Sequence, residues 1–530
     1  MSRRAALLGA FALLVPTAAL AHGGERAFVL LMPTGYYLVG GTLAVAASFL
    51  VLAVLPKNVS DRLAWARLPL LALRPPSPVT TSLLSFLFLG FLLATGVAGS
   101  RDPLANPLPL TIWTLWWVGF TLATAVLGNL WAYVNPWTGP YRLAMWLGSK
   151  LGEARAAAFP PPLRGRGRVG GNPKPETGGV PPPLTPPRRG EGNPVGASGE
   201  GSPGAAAGRE PLLRYPAWLG YWPAIALFFG FAWFELIDLA PDDPWRLAVA
   251  VGAYWLFTFI AIFLFGEEAW LGRAEPFSVF FRFIGGLSPL VWAPASAQGE
   301  TRWQLSLALP GTVLLDRSAL PLSGTLFILL TLASVSFDGL AKTFWWLGLN
   351  GINPLEFPGR SAVLGLNSAG LVLTWLVLAV LYTGAVLLGW RLARRPGEPG
   401  ALLGTLVFSI MPISLAFHFS HYLTALLVNG QYALAAASDP FGTGRDLLSL
   451  GHFHVTASFL STYEGTTAIW NAQTASIVIG HVLAVVLAHE LARRAIADSR
   501  AVVLSQLPLA AAMVAYTLFG LWLLSTPVAA

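Results

Sequence analysis

Long apolar runs recur along the whole chain, and they constrain its fold more than any other feature. Charged residues make up only 11% of the 530 residues, whereas a soluble domain carries about 25%. About 20 apolar residues in a helix cross the hydrocarbon core of a bilayer. Inside a bilayer the backbone must satisfy its own hydrogen bonds, and an α-helix does so within one segment. The sequence therefore predicts an all-α, polytopic membrane helix bundle.

The first residues have the pattern of a cleaved signal peptide, residues 1–21. Arg3 and Arg4 precede a short apolar stretch that ends in Ala19-Leu20-Ala21, an A-x-A cleavage signature. We predict cleavage after Ala21, which makes His22 the first residue of the mature chain. The alternative is an uncleaved first helix.

About ten further segments are long and apolar enough to span a membrane. We predict spans at approximately 29–55, 79–98, 108–134, 217–239, 245–265, 319–338, 363–390, 402–428, 466–491 and 503–525. If the signal is cleaved, the loops expected inside hold 25 of the 33 Lys and Arg residues, against six outside. Because cytoplasmic loops carry such an excess, we predict a bacterial inner-membrane protein with both mature termini on the periplasmic side.

The predicted organisation after the signal peptide has three parts. Residues 22–155 hold the first three spans, and residues 213–530 hold the other seven, with a periplasmic histidine-bearing loop at 429–465. Residues 156–212 are rich in Pro, Gly and Arg, which predicts a disordered cytoplasmic linker. The apolar segment 278–290 is too short to span, which favours an interfacial helix or a re-entrant piece on the inner side.

The histidines gather towards one side of the predicted topology. Of seven, five fall at or near the periplasmic face: His22, His418, His421, His452 and His454. His418 and His421 are spaced i, i+3 and share one helix face. His452 and His454 are two residues apart, which points both rings the same way in an extended segment. This grouping predicts a metal site, and the alternative is solvated loop rings and interhelical hydrogen bonds.

The mature amino terminus has a chelating capacity of its own. An α-amino group has an ordinary pKa of about 8, so it can lose a proton to a metal that the His22 ring also binds. With His452 and His454 it would form a nitrogen donor set that suits Cu(II). This combination resembles the copper site of particulate methane monooxygenase. The chain has no cysteine, which excludes thiolate zinc sites and iron–sulfur clusters.

Carboxylates accompany the histidine pair at the same face. Asp338 ends the sixth span, and Glu235 and Asp238 end the fourth. One carboxylate with two or three imidazoles is a catalytic zinc-type ligand set with an open position for water. We therefore predict that Asp338, His418 and His421 are catalytic, with Asp338 either binding the ion or orienting a ligand.

Two histidines remain in the ninth span. His481 lies in mid-span, where it could reach the His418 pair, and we include it as a candidate ligand. His489 lies near the inner end, and we exclude it. The expected cofactor is a metal ion, with copper favoured and zinc the alternative.

Several phrases of the sequence together resemble a known family. They are the mature start HGGER, YWPAIALFFGFAWFELIDLAPDDP at 221–244, NPW at 135–137, SFDGL at 336–340 and HFSHYL at 418–423. In these phrases the chain resembles bacterial membrane proteins described as fenitrothion hydrolase-like. The resemblance implies a membrane-bound enzyme that hydrolyses organophosphate triesters.

The expected function is that of a metal-dependent hydrolase of phosphotriesters or esters. The first alternative is a copper-binding carrier or assembly factor, whose partner would be a periplasmic or membrane copper enzyme. The second is a transporter with a histidine proton relay, but few ionisable residues lie in mid-span, where transporters bind their substrates. The expected partners are the lipid bilayer and a metal ion, and the net charge of +8 lies mainly in loops and is not a nucleic-acid signature.

Overall fold

The computed structural model describes seven ranges of the chain: 34–54, 66–158, 211–295, 302–357, 359–395, 397–451 and 453–529. The predicted signal peptide, His22, His452 and most of the predicted linker lie outside these residues.

The described residues form ten helices long and apolar enough to cross a membrane. They are α1 (Thr34–Val54), α2 (Pro78–Ala98), α3 (Pro107–Leu127), α4 (Ala217–Leu236), α5 (Pro244–Phe265), α6 (Leu322–Ala341), α7 (Arg360–Leu392), α8 (Pro399–Ser438), α9 (Tyr463–Ala495) and α10 (Ser499–Ser525). This confirms the prediction of an all-α polytopic bundle. The chain is a multi-pass membrane protein whose apolar helices are suited to contact with lipid.

Two predicted boundaries were wrong. The third span was predicted to reach residue 134, but α3 ends at Leu127 because Gly128, with φ of 94°, turns the chain away. A separate short helix, Trp131–Val134, follows. The eighth span was predicted to end at 428, but α8 continues to Ser438. The first ten residues of the predicted loop 429–465 are therefore helical.

Further helices and three strands lie between the membrane helices. The helices are Trp131–Val134, Thr138–Ala158, Glu267–Ala269, Pro276–Gly285 and Phe344–Leu349, and the strands are β1 (Arg67–Leu73), β2 (Leu290–Ala295) and β3 (Arg302–Ala308). The strands form an antiparallel sheet of order β1-β3-β2, with Leu71 and Trp292 both opposite Leu305. The sequence analysis placed all three strands in loops. From Tyr141 onwards, the helix that ends at Ala158 belongs to a second unit of the chain.

Consecutive membrane helices run in alternating directions, as predicted. At one end, Arg101 forms an ion pair with Asp243 at 3.6 Å, and Phe344 N–H donates to Pro527 O at 3.0 Å. We call this the site end. At the other, which we call the sheet end, Arg494 pairs with Asp316 at 2.9 Å, and the three strands lie there.

The helix Pro276–Gly285 is buried except on one face, where Ser278 and Arg282 are partly exposed. Phe280 contacts the Trp117 ring of α3, and Phe283 contacts Phe408 of α8, with ring centroids 5.3 and 5.8 Å apart. The first part of the predicted segment 278–290 is therefore helical, and the interfacial helix and the re-entrant piece both stay predictions.

Glycines allow two pairs of membrane helices to approach closely. A Cβ at Gly480 of α9 would lie 2.4 Å from the Ala416 Cβ of α8. A Cβ at Gly389 of α7 would lie 1.9 Å from the Ser505 carbonyl oxygen of α10. Within a bilayer, hydrophobic burial does not drive helices together, because the lipid tails are as apolar as the helices. Small residues let two helices come close enough for dispersion contacts to hold them together. These contacts help to hold α8, α9 and α10 in position around the site.

Candidate functional site

The contact between Asp338 and His421 is the centre of the site. Asp338 lies in the last turn of α6, and its side chain is only 7% exposed. Its Oδ2 lies 2.6 Å from His421 Nε2 on α8, and its Oδ1 lies 3.5 Å from the Lys342 ammonium one turn further on. The sequence analysis expected Asp338 and His421 at the same membrane face, and the structure places them in direct contact.

Tyr422 links this pair to a second carboxyl group. Its hydroxyl oxygen lies 3.0 Å from Asp338 Oδ2 and 2.9 Å from Oε1 of Glu235, which is in the last turn of α4. Three helices therefore bring their polar residues to one point near the site end. We call Glu235, Asp338, Lys342, His421 and Tyr422 the Asp338 cluster.

His418 lies one turn before His421 and has a different partner. Its Nε2 lies 3.0 Å from the main-chain oxygen of Trp117, and the two rings meet edge to face at 4.9 Å. Trp117 belongs to Leu110–Phe120, a π-helical stretch of α3. Such stretches shift the main-chain hydrogen-bond register and are frequent at functional sites. The same carbonyl also accepts the Thr121 hydroxyl at 2.6 Å, so side chains satisfy it.

Both histidines are held in the same tautomer when neutral. A main-chain carbonyl and an ionised carboxylate can only accept, so Nε2 of His418 and of His421 must each carry the hydrogen. The lone pair of each neutral ring is then on Nδ1. Histidines that bind metals generally donate their other ring N–H to a carboxylate or a carbonyl. In a neutral ring of either histidine, Nδ1 would therefore be the nitrogen able to bind an ion.

The described residues do not contain a complete ligand set. Among them, no group of three or more His, Cys, Asp or Glu side chains is arranged to hold a metal. The structure brings Asp338 and His421 together and places His418 one turn away. Further donors would have to come from His22 or His452, which lie outside the described residues.

The loop after α8, which carries His454, is fixed at two points. Gln431 donates to Thr456 O at 3.0 Å and accepts from Thr456 N at 2.9 Å. The Asp446 carboxylate accepts from the Ser438 hydroxyl at 2.5 Å and from the Gly451 amide at 2.7 Å. These bonds hold the pKa of Asp446 below its ordinary value.

This attachment keeps the exposed His454 away from the Asp338 cluster. Gln431 is ten residues beyond His421 on α8, a rise of about 15 Å along the helix. His454 is only two residues from Thr456, which Gln431 holds. Within the described part of the chain, His454 therefore does not join His418 and His421 in one metal site.

His481 does not join the other histidines either. It is fully buried in α9, its Nδ1 lies 2.8 Å from Ile477 O, and its ring faces Phe417 and Tyr516. Its Nε2 has no hydrogen-bond partner among the described residues. His489 lies towards the sheet end, 3.4 Å from the Gln506 amide nitrogen. Among the described residues, the structure gives neither His481 nor His489 a contact with the Asp338 cluster.

Asp238, the other acid at the end of the fourth span, has a structural partner. Arg246 of α5 contacts both of its carboxylate oxygens, at 2.7 and 2.8 Å. Arg360 donates to the main-chain oxygens of Glu235 and Asp238. These bonds join the start of α7 to the end of α4 and hold Glu235 in position beside Tyr422.

Sequence reasoning missed two parts of the site. Tyr422 follows His421 directly in HFSHYL, but nothing in the sequence shows that its hydroxyl joins two carboxyl groups. The Trp117 carbonyl is a main-chain group, which a search of side-chain types cannot find.

Comparison with known proteins adds no relative: no family model, no curated protein and no solved structure matches this chain.

Proposed function

We propose that this chain is a membrane-bound metalloprotein that hydrolyses phosphotriesters or related esters at the site end. The contact of 2.6 Å between Asp338 and His421 carries the proposal. A buried carboxylate that holds one imidazole nitrogen leaves the other free to bind an ion, and this arrangement is typical of metal-ligating histidines.

His421 and His418 are the proposed ligands within the described residues, each through Nδ1. The candidates for the remaining positions are His22, His452 and His454, and His454 would require the loop held by Gln431 to move. A donor set made mainly of imidazoles suits copper, and zinc is the alternative. Asp338 is then a positioning residue that fixes the His421 ring.

In the proposed hydrolysis, the metal ion and the side chains of the protein have separate roles. A bound copper or zinc ion would polarise a phosphoryl or ester oxygen and lower the pKa of water. Lys342, 57% exposed and 3.5 Å from Asp338, offers a positive charge to the oxygens of a substrate that enters from the site end. Glu235 and Tyr422 provide groups that can hold or transfer a proton.

The proposed orientation places the site end in the periplasm of a bacterium and the sheet end in the cytoplasm. The loops predicted from the sequence to be cytoplasmic hold 25 of the 33 Lys and Arg residues, as cytoplasmic loops do. A substrate would then reach the site without crossing the membrane.

Metal analysis of the purified protein tests the metal site. We expect wild-type protein in detergent to retain copper or zinc, and His421→Ala and His418→Ala to lose most of it. His489→Ala is the matched control, because His489 is a buried histidine towards the sheet end and its loss should leave the metal content unchanged. A wild-type protein that takes up no metal under any loading would overturn the proposal.

An aryl phosphotriester assay then separates an enzyme from a carrier. We expect turnover that depends on the bound metal and is lost in His421→Ala. Bound metal without turnover would support the copper carrier or assembly factor instead. The partner would then be a periplasmic or membrane copper protein that receives the ion.

A further inference from the structure

The register of the three-stranded sheet gives it one wholly apolar face. Residues directly opposite each other in an antiparallel sheet point to the same side. Leu305 of the central strand β3 lies opposite Leu71 of β1 and Trp292 of β2. Alternate residues of a strand share a face, so Leu307 and Trp303 and their partners lie on this side as well. Every position on it is Leu, Trp or Pro, and we call it the apolar face.

A β-bulge gathers the leucines of β1 on this face. Leu68 pairs with Leu307 and Leu71 pairs with Leu305, so one extra residue of β1, Leu70, lies in the bulge. Without the bulge, Leu68 and Leu71 would point to opposite sides, because they are an odd number of residues apart. The irregularity of the strand therefore increases the apolar area on one side of the sheet.

Much of the apolar face is not covered by the described residues. Its exposed side chains, each 39–60% exposed, are Leu68, Leu71, Leu73, Trp292 and Leu307. The other face of the sheet is different, since Val291 and Ser306 are buried there and Arg67 is exposed at its edge. A contiguous exposed apolar patch marks a surface that meets an apolar partner or a membrane.

Trp292 fixes the level of the apolar face relative to the membrane helices. Its indole N–H donates to Leu127 O at 3.0 Å, and Leu127 is the last residue of α3. Val126 and Leu127 are themselves exposed on α3, as side chains that contact lipid are. The apolar face therefore begins where α3 leaves the hydrocarbon region. Tryptophan is enriched at this membrane–water interface.

We propose that the sheet is an interfacial membrane anchor, whose apolar face lies against the acyl chains of the leaflet at the sheet end. β1 and β2 are the two edges of the sheet, and unpaired main-chain groups do not enter the hydrocarbon core. The sheet therefore stays at the boundary between headgroups and acyl chains, at the depth of about 5–10 Å that interfacial helices reach.

Basic residues at the two ends of β1 fit the lipid headgroups. Arg67 begins the strand and Arg74 follows it directly, and both are exposed. Arginine can extend its apolar stem along an apolar surface while its charged head stays at the polar boundary. This anchor does not depend on the metal site or on the reaction proposed above, because it involves no residue of the Asp338 cluster.

Two other partners fit the apolar face less well. The segment 156–212 is rich in Pro, Gly and Arg and has few large apolar side chains to place against such a face. A second copy of the chain would have to displace lipid from the exposed Leu127, which Trp292 contacts.

Spin labels on single cysteines of the full-length protein in lipid nanodiscs test the proposal, since the chain has no cysteine of its own. Leu71→Cys carries the label on the apolar face. Ala72→Cys is the matched control, because Ala72 is the next residue, is exposed, and lies opposite Gln304 on the other face. We expect the label in Leu71→Cys to collide more with oxygen, which concentrates among acyl chains, than with a water-soluble nickel chelate. The label in Ala72→Cys should show the reverse.

Two reference variants set the scale of the collision ratio. Leu84→Cys, at an exposed position within α2, gives the value for lipid, and Leu355→Cys, in the loop after α6, gives the value for water. Leu307→Cys repeats the measurement on β3, and the unfolding temperature of each labelled protein shows that it is folded.

Two results would overturn the proposal. One is an oxygen-to-nickel ratio in Leu71→Cys and Leu307→Cys equal to that of Leu355→Cys, which would place the apolar face in water. The other is a label in both variants that is immobilised and shielded from both reagents. Protein would then cover the face, either a second copy of the chain or the segment 156–212.

Discussion

Among single residues, Asp338 has the largest expected effect on metal binding. In Asp338→Asn the side chain loses its charge and can turn its amide nitrogen towards His421, so it no longer fixes the Nε2–H tautomer. Loss of such a partner weakens metal affinity about 10–100-fold. Competition titration with a chromophoric chelator measures this affinity. Asp316→Asn, which removes the partner of Arg494 at the sheet end, is the control, and equal affinities in the two variants would contradict the assigned role of Asp338.

Asp446 is expected to make the order of the loop after α8 depend on pH. The Ser438 hydroxyl and the Gly451 and Leu450 amides lower its pKa. Because its pKa is lowered, the ionised Asp446 carboxylate stabilises the folded loop at a pH above its ordinary pKa of about 3.9. This stabilisation is lost as the pH falls through the lowered pKa of Asp446 in the folded protein. We expect protection of the Leu450 and Gly451 amides against hydrogen exchange at pH 6, and loss of protection below the ordinary pKa.

Asp446→Asn should remove this protection already at pH 6. Asp439→Asn is the matched control, because Asp439 accepts from the separate amides of Thr443 and Gly444. Retained protection of Gly451 in Asp446→Asn would show that the carboxylate does not hold the loop.

The sequence predicted part of the site because its spacing has direct geometric meaning. Residues i and i+3 share a helix face, and a carboxylate at the end of a span lies at a known depth, so His418, His421 and Asp338 could be grouped. Which helices are neighbours is decided by packing over long sequence separations. For this reason His481 was expected near His418, although it lies beside Phe417 and Tyr516.

At the scale of helix packing, the close contact between α7 and α10 depends on Gly389. A Cβ there would lie 1.9 Å from the Ser505 carbonyl oxygen, so Gly389→Ala must push the two helices apart. Overpacking of this kind costs about 1–3 kcal/mol. Gly384→Ala is the control in the same helix, since a Cβ at Gly384 meets nothing within 4 Å. We expect thermal unfolding in nanodiscs to show a lower unfolding temperature for Gly389→Ala only, and equal temperatures would refute the contact.

Helices and strands could be predicted from the sequence only where one strong pattern identifies them. Apolar length identified all ten membrane helices, but it did not show that α3 contains the π-helical stretch Leu110–Phe120. In that stretch the Trp117 carbonyl contacts His418, a partner 301 residues away that the local sequence does not reveal. The strands were missed because each has seven residues or fewer, and β1 pairs with chain far away in sequence, as Arg67 does with Ala308.

For the whole molecule, the most useful sequence rule was that successive loops lie at opposite ends of the membrane helices. Each helix reverses the direction of the previous one, so a correct count of spans assigns every loop to an end. The contact of Phe344 with Pro527 joins the segments after α6 and α10, which an even number of crossings separates. The same rule places Glu235, Asp338 and His421 at one end, where the structure brings them together.

The proposed absolute orientation rests on charge and has a direct test, because the chain has no cysteine of its own. Leu355, 80% exposed, lies in the loop after α6 at the site end, and the exposed Ser318 lies before α6 at the sheet end. In intact cells with a permeable outer membrane, a membrane-impermeant maleimide should label Leu355→Cys. Ser318→Cys should react only after the inner membrane is opened, since the sheet end carries the basic loops. Labelling of Ser318→Cys alone in intact cells would invert the topology and place the Asp338 cluster on the cytoplasmic side, where a periplasmic substrate or copper partner could not reach it.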